Sequence, residues 1–162
     1  KIWYYGNLGR TAWMDRGVDE FPIAAGSDHY LYDHESGLDD GSTAPASAIS
    51  ANIESSQLDL GDGDRFVFLS RLIPDITFRD STANTPTATF TLGVRNFPGG
   101  KYLETDAGVV DKVASTPVEQ FTKEVRTRLR GRSFNLKVES TATETTWRLG
   151  TSRVEVRPDG RR

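Results

Sequence analysis

The chain has 162 residues, 36% of them hydrophobic, and a formal net charge of −3, enough for one domain or for one domain and part of another. It contains no cysteine, which excludes disulfides, cysteine-held zinc and thiol chemistry and fits a protein made in the cytosol or built into a particle without oxidative folding. No apolar run reaches the roughly 18 residues of a membrane-spanning helix, and no charged-then-apolar leader opens the chain.

The first residues, Lys1-Ile-Trp-Tyr-Tyr5, lack an initiator methionine and read as a strand already under way. The chain is therefore expected to be a piece of something longer. Thr11-Ala-Trp-Met14, Phe21-Pro-Ile-Ala-Ala25 and His29-Tyr-Leu-Tyr-Asp-His-Glu35 follow as short strands, separated by Gly/Asn/Asp turns. Aromatic-rich strands at roughly ten-residue spacing read as a propeller blade or a short meander. One blade cannot bury its own faces, so this segment implies neighbours. Residues 1–48 are taken as this strand segment with its linker, and residues 49–162 as a separate β-sandwich domain.

Residues 36–64 are small, polar and turn-rich, with one short strand near 49–54. Phe66 to Phe78 is the strongest apolar run; Pro74 cannot donate to a ladder, so it ends or bulges that strand or confines it to an edge. Thr87 to Arg95 alternates cleanly, placing Phe90, Leu92 and Val94 on a buried face. Asn96-Phe-Pro-Gly-Gly100 terminates it, and residues 101–117 read as a loop. Residues 122–139 read as one long strand, and Trp147 to Arg157 as one or two more. Four to six strands from residue 49 onward make the fold class all-β, with a sandwich at its centre.

Residues 123–162 hold 11 Lys/Arg against 5 Asp/Glu, a net of +6, and the other 122 residues hold 9 against 18, a net of −9. Ends of opposite sign suit contact between copies, or cancel within one fold. Alternation along residues 125–130 puts Val125, Thr127 and Leu129 on one face and Arg126, Arg128 and Arg130 on the other. Arg132 extends the stripe, unless a bulge at Gly131 turns it out of line. These four arginines are the candidate inter-subunit or channel-facing residues; their plainer role is a solvated strand face paired with cross-strand glutamates. Asp33, Glu35, Asp39 and Asp40 are the candidate acidic partner surface. No aromatic platform alternates with the arginines, so base-specific nucleic-acid recognition is not expected.

Catalytic and metal signals are weak. Asp28, His29, Asp33, His34 and Glu35 form the densest ionisable cluster, but their spacing on a strand matches no ligand pattern and reads as a polar strand end. Asp59-x-x-Asp62-x-Asp64 lacks the closing glutamate of a calcium loop, since the twelfth position is Ser70, and reads as a turn through Gly61 and Gly63. Neither a phosphate-binding glycine loop nor a Gly-x-Ser-x-Gly elbow occurs. No catalytic residue, cofactor, metal or membrane partner is expected.

Trp13-Met-Asp-Arg16, Asp33-His-Glu-Ser-Gly37 with Asp39-Asp40, Leu60-Gly-Asp-Gly63, Arg71-Leu-Ile-Pro-Asp75, Phe97-Pro-Gly-Gly100, Arg130-Gly-Arg132, Glu139-Ser140, Trp147-Arg-Leu-Gly150 and Arg157-Pro-Asp-Gly-Arg-Arg162 occur in this order. In that order they resemble the C-terminal part of the tail hub or nozzle proteins of short-tailed bacteriophages, some of them labelled packaged-DNA stabilisation proteins. The resemblance implies a propeller-bearing virion subunit closed into a ring, a hexamer, below the portal and adaptor and among other tail proteins. Such a ring surrounds a channel that retains the genome and lets DNA pass without sequence preference. Subunits of that family are much longer than 162 residues. Two other classes compete: a carbohydrate- or receptor-binding sandwich using Trp3, Tyr4, Tyr5, Trp13, Tyr30, Tyr32 and Trp147, and a glycan-cleaving enzyme using the carboxylates of residues 28–40.

Overall fold

The computed structural model describes residues 8–59, 62–100, 103–104 and 110–160. All regular structure among them is β, and none of their segments is a helix long and apolar enough to cross a membrane. The chain divides into two compact units, Lys1–Gly37 with Gly41–Ala46, and Leu38–Asp40 with Ser47–Arg162.

In the first unit β1 (Arg10–Met14), β2 (Ile23–Gly26) and β3 (Leu31–Asp33) form a three-stranded antiparallel meander. The β2–β3 turn is closed by the Gly26 N–H donating to the Tyr30 carbonyl at 2.8 Å, with His29 in the left-handed region at φ 70°. Register sets Trp13, Ala24 and Tyr32 in one row. Directly opposed residues share a face, and Ala24, between the two rings, is buried. No propeller or barrel closes among the described residues, so the meander is what stands here. The predicted strand at Ile2–Tyr5 lies outside them.

The second unit contains β4 (Ala51–Glu54), β5 (Leu58–Asp59), β6 (Val67–Ile73), β7 (Ile76–Thr77), β8 (Thr87–Arg95), β9 (Leu103–Glu104), β10 (Val110–Asp111), β11 (Val113–Glu119), β12 (Val125–Gly131), β13 (Ser133–Ser140), β14 (Arg148–Leu149) and β15 (Arg153–Pro158). One antiparallel sheet runs β11-β8-β13-β4, with β5 also paired to β13, and a second runs β12-β6-β15. β9–β10 and β7–β14 form two-stranded ribbons. The two larger sheets share one core. Ala88, Phe90, Leu92, Val94, Val118, Phe134 and Val138 come from the first sheet, and Val67, Leu69, Leu72, Val125 and Leu129 from the second. This is the sandwich expected from alternating strands that each bury one face.

Two expectations fail. Residues 101–117 are not a loop: β9 and β10 lie there, and β11 begins at Val113. β11 is an edge strand in which Val118 is the only fully buried residue, so its small polar side chains carry no apolar alternation. Pro117 is tolerated in it because an edge strand has one side free of ladder bonds. The single strand expected over residues 122–139 is two, β12 in one sheet and β13 in the other. The chain crosses at Gly131, packed so closely on β8 that an added Cβ would stand 2.7 Å from the Val94 Cβ. Arg132 then donates its backbone N–H to the Arg95 carbonyl at 2.7 Å. The bulge lies earlier, between Arg126 and Leu129, rather than at Gly131.

Candidate functional site

The stripe lies on the outer face of the β12-β6-β15 sheet, where register builds a charge ladder. Arg126 of β12 stands opposite Arg71 of β6, which stands opposite Glu155 of β15. Two like-charged arginines side by side would repel. Glu124, just ahead of β12, resolves this by pairing with Arg126 at 3.1 Å and with Arg71 at 3.3 Å. Arg71 also pairs with Glu155 at 3.0 Å, and Glu155 with Arg157 at 2.7 Å. The result is an alternating chain, Arg126–Glu124–Arg71–Glu155–Arg157, running across all three strands.

The ladder holds both glutamates ionised. The hydrogen bond from Arg126, then that from Arg71, holds the Glu124 carboxyl below the usual glutamate range. The hydrogen bond from Arg157 does the same for Glu155, with the Arg71 charge adding to it. Both carboxyls are therefore stronger acids in the folded chain than in the unfolded one. Their contribution to stability is complete above the ordinary glutamate value of about 4.3 and is lost as pH falls through the lower folded values. Arg71→Met keeps much of the side chain's bulk and removes the shared cation. Its loss of stability against wild type should be present at about pH 7 and should shrink towards about pH 3, as read from urea midpoints. An equal gap at both pH values would show that the ladder is not what Arg71 supports.

The four arginines differ in what holds them. Arg126 is 85% exposed in its side chain yet tied to Glu124. Arg130 pairs with the Asp159 carboxylate, donates Nη2 to the Asp159 carbonyl at 3.1 Å, and lies 4.1 Å over the Phe66 ring. Arg132 approaches the same ring at 4.9 Å, a geometry that favours a cation over a π-face. Arg128 is exposed and has no ion pair or hydrogen bond among the described residues. Thr127 and Arg128 occupy the bulge opposite Ser70, where a shallow open depression is lined by Phe68, Ser70, Arg126, Thr127 and Arg128.

The acidic candidates are divided between the units. Asp33 is exposed on β3, and Glu35 is exposed with a left-handed backbone at φ 59°. Asp39 receives the Glu144 backbone N–H on both carboxylate oxygens, at 2.8 and 2.9 Å. Asp40 exchanges backbone hydrogen bonds with Ser47. Asp39 is thus occupied as a loop tether, while Asp33 and Glu35 are exposed and carry no ion pair among the described residues.

In the meander, Arg10 donates to the His34 Nε2 at 3.1 Å and stacks 3.9 Å over Tyr32. The Trp13 ring lies 4.5 Å from that of His34. The Tyr32 hydroxyl donates to Asp28, the main reason the Asp28 carboxyl lies below its usual range. Among the described residues no three His, Asp or Glu side chains gather as metal ligands, and Gly63 at φ 70° marks the turn ahead of Arg65. Trp147 packs against the sandwich core, whereas Trp13 and Tyr30 are 55% and 68% exposed.

Arg71, Glu124, Glu155, Phe66, Ser70 and Thr127 were not singled out by the sequence reading as parts of this site. One local signal existed: Arg71 interrupts the apolar run Phe66–Phe78, which marks an outward position at a strand centre. No protein-family model matches the chain, and a search of curated proteins finds no match to it.

Proposed function

We propose that the chain is a non-enzymatic structural subunit that packs copy against copy through charged sheet surfaces, as a component of a phage tail or connector ring. The observation that carries this reading is the outer face of the β12-β6-β15 sheet, where exposed Arg128 stands beside a saturated ladder of ion pairs. Its complement is the acidic remainder of the chain, with Asp33 and Glu35 exposed. The ordered motifs resembling the tail hub and nozzle proteins supply the setting. In it the ring is a hexamer in the virion, the portal, adaptor and other tail proteins are its neighbours, and DNA passes through its channel. A lasting contact of this kind buries on the order of 1,000 Å² or more.

Arg128→Glu tests the reading. Reversing the charge should weaken assembly of the chain, and more at low salt than at high, because exposed charges are screened within about 10 Å at 0.1 M salt. Mass photometry across a salt series checks this. Assembly unchanged in the variant at every salt concentration would count against the pairing.

A second reading, a carbohydrate- or receptor-binding module, has one observation in its favour. Trp13 is half exposed beside Arg10, His34 and Tyr32, a flat ring flanked by hydrogen-bonding groups of the kind that sugars stack upon. A monomeric chain that binds glycans, and loses them on Trp13→Ala, would favour it over the ring.

A further inference from the structure

The bulge on β12 has a feature that the ion-pair ladder does not use. Thr127 and Arg128 together oppose Ser70, where a regular ladder would place one residue. Under the resulting depression the Ser70 Oγ and the Thr127 Oγ1 are buried without a hydrogen-bond partner among the described residues. Thr127 is only 8% exposed. A buried hydroxyl with no partner is destabilising, and valine would fill the same space without that cost. The depression therefore brings together two unused hydroxyl donors, the fork of Arg128 and the edge of Arg126. All of these can donate hydrogen bonds, and the arginines add positive charge, so the matching ligand is an oxyanion.

The surroundings select among oxyanions. Glu124, Glu155 and Asp159 interleave with the arginines of this face. A polyanion such as a nucleic-acid backbone needs a run of cations, and it would meet these carboxylates as well. A single carboxylate side chain meets only the local excess at Arg128. The residues before 123 carry a net of −9, so the chain itself supplies such groups.

We infer that the bulge depression is a carboxylate socket for a second copy of this chain. Arg128 forks the incoming carboxylate, and the Ser70 and Thr127 hydroxyls turn about χ1 to donate to it. The carboxylate comes from the acidic segment of residues 28–40, where Asp33 and Glu35 are exposed. The inference rests on the copy-against-copy reading above and names the contact that it uses.

The test titrates the full chain with a synthetic peptide of residues 28–40, by calorimetry, and measures its assembly by mass photometry. Thr127→Val should unfold at the same or a higher urea concentration than wild type, yet bind the peptide about tenfold more weakly. Arg128→Gln, at an exposed position, should weaken binding by at least as much. A peptide with Asp and Glu replaced by Asn and Gln should not bind. Wild-type affinity in both variants, or equal binding of the neutral peptide, overturns the socket. So does loss of duplex oligonucleotide binding in Arg128→Gln with peptide binding intact, because phosphate would then be the occupant. A chain that stays monomeric, even while it binds the peptide through Thr127 and Arg128, overturns the second copy as occupant together with the ring. A chain that assembles equally well with and without the Thr127 hydroxyl retires the socket and keeps the ring.

Discussion

Phe90→Ala should lower the stability of the sandwich by about 3–5 kcal/mol. Phe90 lies on β8, which is hydrogen-bonded on both sides, with Thr116 of β11 and Val138 of β13 directly opposite it. It is 1% exposed and belongs to the core cluster that also contains Leu69 and Leu72, each 0% exposed, from the facing sheet. Removing the ring loses its transfer free energy and leaves a cavity that ladders on both flanks prevent from collapsing. Domains of this size are stable by only about 5–15 kcal/mol in total, so this one change removes a large share. Urea unfolding followed by tryptophan fluorescence gives the number. The midpoint should fall while the slope stays near that of wild type, since the unfolded chain exposes nearly the same surface. A loss below about 1 kcal/mol would mean that the two sheets do not close over this ring.

What the sequence made legible follows from how local each signal is. Thr87 to Arg95 reads as a strand because every second side chain is apolar, and β8 spans those residues. Pro74 stops β6 at Ile73, because β6 is paired on both sides and a residue without an N–H cannot donate to its ladders. The alternation from Val125 to Leu129 buries the valine, threonine and leucine and leaves Arg126 and Arg128 exposed. β11 was not legible, because a strand at a sheet edge needs no apolar stripe. The crossing at Gly131 was not legible either. The alternation runs through Leu129 to Gly131, and what breaks the strand is contact with β8, more than thirty residues away in sequence.

The site shows the same divide. The arginines of β12 could be picked out by period alone, but their partners could not. Glu124 meets Arg71 across a separation of 53 residues, and Asp159 meets Arg130 across 29. Such pairs follow from register, which no local window contains. Of four arginines that look equivalent in the sequence, three are held by carboxylates or by the Phe66 ring, and Arg128 is exposed with no ion pair among the described residues.

Gly131→Ala should cost about 1–3 kcal/mol, with Gly131→Val beyond that range. Gly131 ends β12 opposite Val67, and two residues later Ser133 pairs with Arg95 in the other sheet. A Cβ here would stand 2.7 Å from the Val94 Cβ, 2.9 Å from the Arg95 carbonyl oxygen and 3.1 Å from the Arg95 nitrogen. None of those atoms is the far end of a flexible side chain, so relief requires β8 and the crossing to separate. Separation stretches the 2.7 Å bond from the Arg132 N–H to the Arg95 carbonyl, which ties the two sheets together at this corner. Gly41→Ala is the control: nothing lies within 4 Å of its added Cβ, so its effect should stay within about 0.5 kcal/mol. Urea midpoints measured side by side decide the matter, and equal values for the two alanine variants would remove Gly131 as the cause of the crossing. The crossing also fixes where β12 ends, three residues beyond Arg128. If the bulge depression is the proposed socket, a variant that folds with the corner displaced should therefore lose affinity for the 28–40 peptide although every residue lining the depression is intact.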